Sequence, residues 1–135
     1  MSISRTRSAF FSICLLLCSA VSPVICQDDA AQEEAEARYR QAKQLISAGD
    51  REKAIAELKL AIKVSPGFIE AHRDYQDLRR ENVAPLIDEY KSYVKQSPAS
   101  PAFYYLLGRA YSFAGRRDEA YLEYLNAIKI DPEFN

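Results

Sequence analysis

PAFYYLLGRAYSFAGRRDEAYLEYLNAIKIDP, the stretch from Pro101 to Pro132, reads as two helices with a stop between them. Phe103, Leu106, Leu107, Ala110, Tyr111 and Ala114 recur at a helical period, which predicts an amphipathic helix from Phe103 to Ala114. Ser100 is placed to cap it, and Pro101 suits a first turn whose N–H groups are unpaired anyway. Gly115 can take the left-handed conformation that ends a helix. A second helix is predicted from about Arg117 to Ile130, with Ala120, Tyr124, Ala127 and Ile128 along its packing stripe. Asp131-Pro132 ends it, because the residue before proline is pushed out of helical geometry.

The same pattern occurs 66 residues earlier. Ala35–Pro66 laid on Pro101–Pro132 gives ten identities in 32 positions, including Gly49/Gly115, Ala54/Ala120 and Pro66/Pro132. Ala61-Ile62-Lys63 returns as Ala127-Ile128-Lys129. Gly49 and Asp50 supply the stop and the next cap. A third segment ending at Pro98 divides the interval into steps of 32 and 34 residues. Helical hairpins at such a period stack, since no single pair can bury its apolar face alone.

On these residues the chain resembles the tetratricopeptide repeat (TPR) family. The family's order of aromatic, Leu-Gly, Tyr, Ala, large residue, Ala and Pro is met by Tyr104, Leu107-Gly108, Tyr111, Ala120, Tyr124, Ala127 and Pro132. The first copy matches with Ala42, Leu45, Gly49, Ala54, Leu58, Ala61 and Pro66, while Arg38 and Gln41 replace the aromatic and the leucine. The middle copy departs more. His72 and Tyr75 take the aromatic and leucine places, but Gln76 replaces the small residue and Arg79 the tyrosine. Two residues are missing near Glu81–Ala84, Pro85 falls early in the second helix, and Leu86, Tyr90 and Tyr93 stand for alanine, aromatic and alanine. Tyr93 needs more space than alanine, so a splayed or shifted hairpin is expected, with a roomier site at Gln76. The resemblance implies an all-α TPR solenoid of about three helix–turn–helix repeats, near 35–68, 69–100 and 101–134, in a domain spanning 35–135.

Ahead of that domain, residues 1–26 read as an export signal. Arg5 and Arg7 form a positive start, and Ala9 to Cys18 an apolar run of ten residues. Small residues favour cleavage after Cys26, with Ala20 as the alternative cut. Pro23 and three serines, Ser12, Ser19 and Ser22, interrupt the 18 residues from Ala9 to Cys26 and speak against an uncleaved anchor. Ile25 and Leu17 are too bulky for the position before a lipid-modified cysteine. The expected location is periplasmic or secreted, with no stable membrane anchor after cleavage. Residues 27–34 form an acidic lead-in to the repeats.

Composition then narrows the function. Removing the leader leaves 16 basic and 19 acidic residues, a net charge of −3, which does not suit nucleic acid or an anionic membrane. All three cysteines fall in the leader, there is one histidine, and there is no tryptophan. A metal centre, a cofactor site or a Cys–His nucleophile is hard to assemble from the rest, so no enzyme, cofactor or metal is expected. His72 has a place in the packing pattern. The cluster Asp28, Asp29, Glu33, Glu34 and Glu36 lacks the alternation and glycine of a calcium loop.

Binding is what remains. In a TPR solenoid the first helices line the concave surface, and the resemblance projects Tyr39, Lys43, Arg73, Asp77, Arg80, Tyr105, Arg109 and Phe113 onto it. Aromatics interleaved with cations suit an extended peptide carrying carboxylates and apolar side chains. The carboxylate clamp of chaperone-binding members is missing, since its places hold Tyr39, Lys43, Ala102 and Leu106. A second candidate face lies on the last helix, where Tyr121, Tyr124, Leu125 and Ile128 predict pairing with another copy or with a partner's helix. The expected function is a non-catalytic protein- or peptide-binding scaffold in the exported compartment. The alternative is the TPR segment of a larger exported enzyme or envelope machine, which a reading frame continuing past Asn135 would reveal.

Overall fold

Glycine and proline punctuation places the helices. The computed structural model describes residues 23–134, in the order α1 (Pro23–Ser47), α2 (Arg51–Val64), α3 (Ile69–Arg79), α4 (Val83–Gln96), α5 (Pro101–Phe113) and α6 (Arg117–Ile130). Gly49 and Gly115 hold φ of 78° and 71°, a conformation that costs any residue with a Cβ. Each turn closes with the same hydrogen bonds. Asp50 N–H donates to the Leu45 carbonyl at 2.9 Å, and Arg116 N–H donates to that of Tyr111 at 3.0 Å. These contacts satisfy carbonyls that the helix end leaves open.

The caps are less uniform. The Asp50 carboxylate accepts from the Lys53 N–H and also pairs with the Lys53 ammonium at 2.6 Å. Ser100 occupies the cap position of α5, but its side chain makes no capping bond; only Pro101, in the first turn, fulfils the expected role. The Arg116 guanidinium instead pairs with Glu119 at the start of α6. Most of the expected leader, residues 1–22, lies outside the described residues. Because α1 already begins at Pro23, the acidic stretch expected to lead into the first helix is itself helical, and the expected cut after Cys26 falls in its first turn.

The first and last hairpins are tight. α1 packs on α2, and α5 on α6, along most of their lengths. Ala42, Ala54 and Ala61 keep the first pair close around fully buried Leu58, while Gly108, Ala120 and Ala127 do so for the last. Burying a leucine such as Leu58 or Leu106 is worth roughly 1.5–3 kcal/mol. The middle hairpin is splayed, as its sequence predicts. α3 and α4 barely meet; α3 packs chiefly on α2, and α4 chiefly on α5.

Aromatic side chains fill the gap between them. The His72 ring has Tyr90, Tyr93 and Phe103 around it at 5.5–6.0 Å, and Tyr93 stacks on Phe103 at 5.2 Å. His72 Nε2 lies 2.9 Å from the Pro66 carbonyl, which can only accept, so this nitrogen carries the proton. Nδ1 then accepts from the Tyr90 hydroxyl at 2.9 Å. Burial pushes the His72 pKa below its ordinary value, partly offset by the Pro66 bond. The neutral ring is therefore a structural tie, in keeping with its place in the repeat pattern.

Candidate interaction surface

The first helix of each hairpin contributes to one surface, and polar contacts centred on α3 stitch it together. From α1, the Tyr39 hydroxyl donates to the Asp74 carboxylate at 3.0 Å and the Lys43 ammonium reaches the same oxygen at 3.2 Å. The Tyr39 ring also meets Phe68 edge-on at 5.0 Å. Burial, then the Asp74 contact, pushes the Tyr39 hydroxyl up to about 12, so it stays a donor across the physiological range.

From α5, Arg109 does the corresponding work. Its Nε donates to the Gln76 side-chain oxygen at 3.1 Å, and its outer nitrogen pairs with Asp77 at 2.7 Å. Phe113 lies one turn along, with the guanidinium 5.4 Å from its ring centre. The Gln76 amide nitrogen donates to the Leu106 carbonyl at 2.8 Å. Gln76 is fully buried with both ends of its amide used. The site is roomy enough for this long side chain, which bridges two helices and fills it.

The eight residues projected onto this surface divide accordingly. Tyr39 and Arg109 are committed to holding helices together, and the Arg109 side chain is only 16% exposed. Lys43 and Asp77 each make one ion pair yet remain half open to solvent. Arg73 and Arg80 are exposed and have no side-chain partner among the described residues. Tyr105 and Phe113 are half-buried, with the Tyr105 ring beside Tyr124 and Phe134. Asp74 and Gln76 were missed from the sequence. Asp74 follows Arg73 by one residue, and its contacts with α1, 31 and 35 residues away, leave no local signal in the sequence. A shallow cleft at one end, lined by Ile46, Arg51, Asp77, Leu78 and Arg80, continues the surface toward the α2 side.

The outer face of α6 needs a larger correction. Tyr124 does not belong to it. Its ring turns inward over Gly108, and its hydroxyl lies 3.1 Å from that of Ser112. Leu125 is half-buried, whereas Tyr121 and Ile128 are 63% and 50% exposed. Leu122, missing from the sequence reading, is 57% exposed and adjoins them. Ile62, the counterpart of Ile128 one hairpin-pair earlier, is 6% exposed because α3 covers that side of α2. The repeat leaves the same position bare on α6.

Among the described residues, no group of His, Cys, Asp and Glu side chains is clustered to hold a metal ion, and no helix is long and apolar enough to cross a membrane.

Comparison with known proteins agrees with the geometry. The profile described as "Tetratricopeptide repeat" matches residues 33–68 and 101–134, the first and last hairpins. No curated protein sequence matches the chain. Among solved structures, it is similar to one titled "Crystal structure of MamA", at 22% identity over 76% of this chain and 61% of that one, with a TM-score of 0.50. It is also similar to "MamA 41-end from Desulfovibrio magneticus RS-1", at 22% identity over 74% of this chain and 58% of that one, with a TM-score of 0.48. The likeness is one of fold. The chain spans about three fifths of the length of the MamA chains it matches.

Proposed function

Since the chain belongs to the tetratricopeptide repeat family, we propose that it is a non-catalytic scaffold that binds a protein or extended peptide in the periplasmic or extracellular compartment. The supporting observation is the stitched face of α1, α3 and α5. The Tyr39–Asp74 and Arg109–Gln76–Asp77 contacts fix the spacing of the three helices before any partner arrives, which lowers the ordering cost of binding. Arg73, Arg80 and Lys43 remain open on that rigid face beside half-exposed Tyr105 and Phe113. This combination favours a segment with carboxylates next to apolar side chains.

The test is to capture partners from the exported fraction with the wild-type chain and with Arg73→Glu/Arg80→Glu. Both substitutions fall on exposed side chains without partners, so the circular dichroism spectrum should be unchanged. Captured proteins should be lost or reduced at least about tenfold, the size of a few charge-assisted contacts. Equal capture by the folded variant would refute the proposed face. Intact mass of the exported product beginning at Gln27 would support the compartment, and a product retaining Met1 would overturn it. The scaffold reading also includes association of the chain with itself through the bare face of α6.

A further inference from the structure

Four of the five large apolar side chains exposed among the described residues lie on α6: Tyr121, Leu122, Ile128 and Ile130. Resting on the reading of this helix as an association face, we infer that two copies of the chain pair α6 against α6, antiparallel, with Leu125 on the two-fold axis.

Three observations select that arrangement. The first is the asymmetry between the outer faces of α1 and α6. α1 shows Glu33, Glu36, Arg40 and Gln44 to solvent, a polar face that cannot cover the apolar face of α6. Head-to-tail stacking is therefore disfavoured, and a closed, self-complementary pair is the remaining symmetric solution. The second is the centring of the patch. Tyr121, Leu122, Leu125 and Ile128 follow the spacing of a helix-packing seam, and Leu125 lies midway between Leu122 and Ile128. Antiparallel pairing about Leu125 sets Leu122 against the partner's Ile128 twice.

The third is charge. Asp118 and Lys129 stand at opposite ends of the patch, both exposed and without side-chain partners among the described residues. At about 1.5 Å rise per residue, Asp118 comes within roughly 5 Å, along the axis, of the partner's Lys129. That lysine also lies opposite Tyr121, whose ring face attracts a cation. A parallel pair would instead set Asp118 against the partner's Asp118. One helix face per copy makes an interface at the small end of the stable range, about 1,200 Å² in total, and a Kd in the micromolar range is expected for a pair this small with few anchoring side chains.

Sedimentation of the full chain tests this. Wild type should dimerise at micromolar concentration, and Leu125→Glu/Ile128→Glu should stay monomeric with an unchanged circular dichroism spectrum, which separates this face from any association through the leader. Asp118→Lys should raise the dimer Kd about tenfold by creating two like-charge contacts, and Asp118→Lys/Lys129→Asp should restore it. A dimer indifferent to Asp118→Lys overturns the antiparallel arrangement and leaves self-pairing in place. A wild-type chain that remains monomeric up to about 100 μM, far above the Kd expected for such an interface, overturns both.

Discussion

Gly108→Ala adds one methyl group at the closest approach between α5 and α6. A Cβ at that position would lie 2.5 Å from Tyr124 Cε1 and 2.7 Å from Cδ1. Ordinary contact needs roughly 3.5 Å, so the ring must retreat by about 1 Å. It is not free to do so, since Tyr105 lies beside it at 6.0 Å and its hydroxyl is tied to Ser112. Overpacking of this kind costs about 1–3 kcal/mol. Replacing glycine by alanine within a helix returns up to about 1 kcal/mol. The net expectation is a destabilisation of about 1 kcal/mol. The first hairpin shows how the clash is avoided, because the matching positions hold Ala42 and Leu58, both fully buried. Tyr124→Leu should therefore relieve the clash, and in that background Gly108→Ala should stabilise by about 1 kcal/mol. Urea unfolding of the four proteins, with unchanged m-values, measures a coupling energy of about 2 kcal/mol. If Gly108→Ala stabilises both backgrounds equally, helix propensity alone governs the site and the close approach is wrong.

His72 gives a pH dependence of definite sign. Its native pKa lies below the ordinary 6.5, so the unfolded chain binds the proton first on acidification. Its contribution is fully present above pH 6.5 and is lost as pH falls through the lower native pKa, with a slope of up to about 1.4 kcal/mol per pH unit. Melting curves from pH 8 to 5 should show this decline in wild type and a flatter one in His72→Gln; parallel curves would contradict the buried neutral ring. Gln76→Leu should destabilise by about 1–3 kcal/mol, because it removes the bond to the Leu106 carbonyl and deprives Arg109 of an acceptor. Arg109→Glu should lower the melting temperature far more than Arg73→Glu, which should stay within about 0.5 kcal/mol of wild type. Similar losses from the two charge reversals would mean that the Asp77 contact does not hold α5 to α3.

What could be read beforehand was whatever local chemistry dictates. Gly49, Gly115 and Pro132 end helices through their own backbone constraints, so the boundaries of α6 agree residue for residue with the spacing of its apolar positions. Tyr93 in an alanine place announced the splay of α3 from α4. The site was less accessible because its residues act across helices. Gln76 appears oversized until its amide is seen bridging to Leu106, 30 residues away, a contact no local pattern encodes. Arg109 has the composition of a ligand-binding cation, yet Gln76 and Asp77 already occupy it. Tyr124 was grouped with an exposed stripe by its spacing alone. Gly108, smaller than Ala42 at the same place, was the available sign that a large ring enters from the other helix.

The loose junction between α3 and α4 divides the array into two three-helix blocks, each built around one tight hairpin. Their junction consists of side chains: the His72 contacts with Tyr90, Tyr93 and Phe103 and the Gln76–Leu106 bond within, and the Arg109–Asp77 pair at the surface. Curvature of the array is therefore set at this seam by a few side-chain contacts, while each block is held by packed helix faces. A ligand laid along α1, α3 and α5 crosses from one block to the other between α3 and α5, so the Gln76 and Arg109 bonds hold the angle it meets.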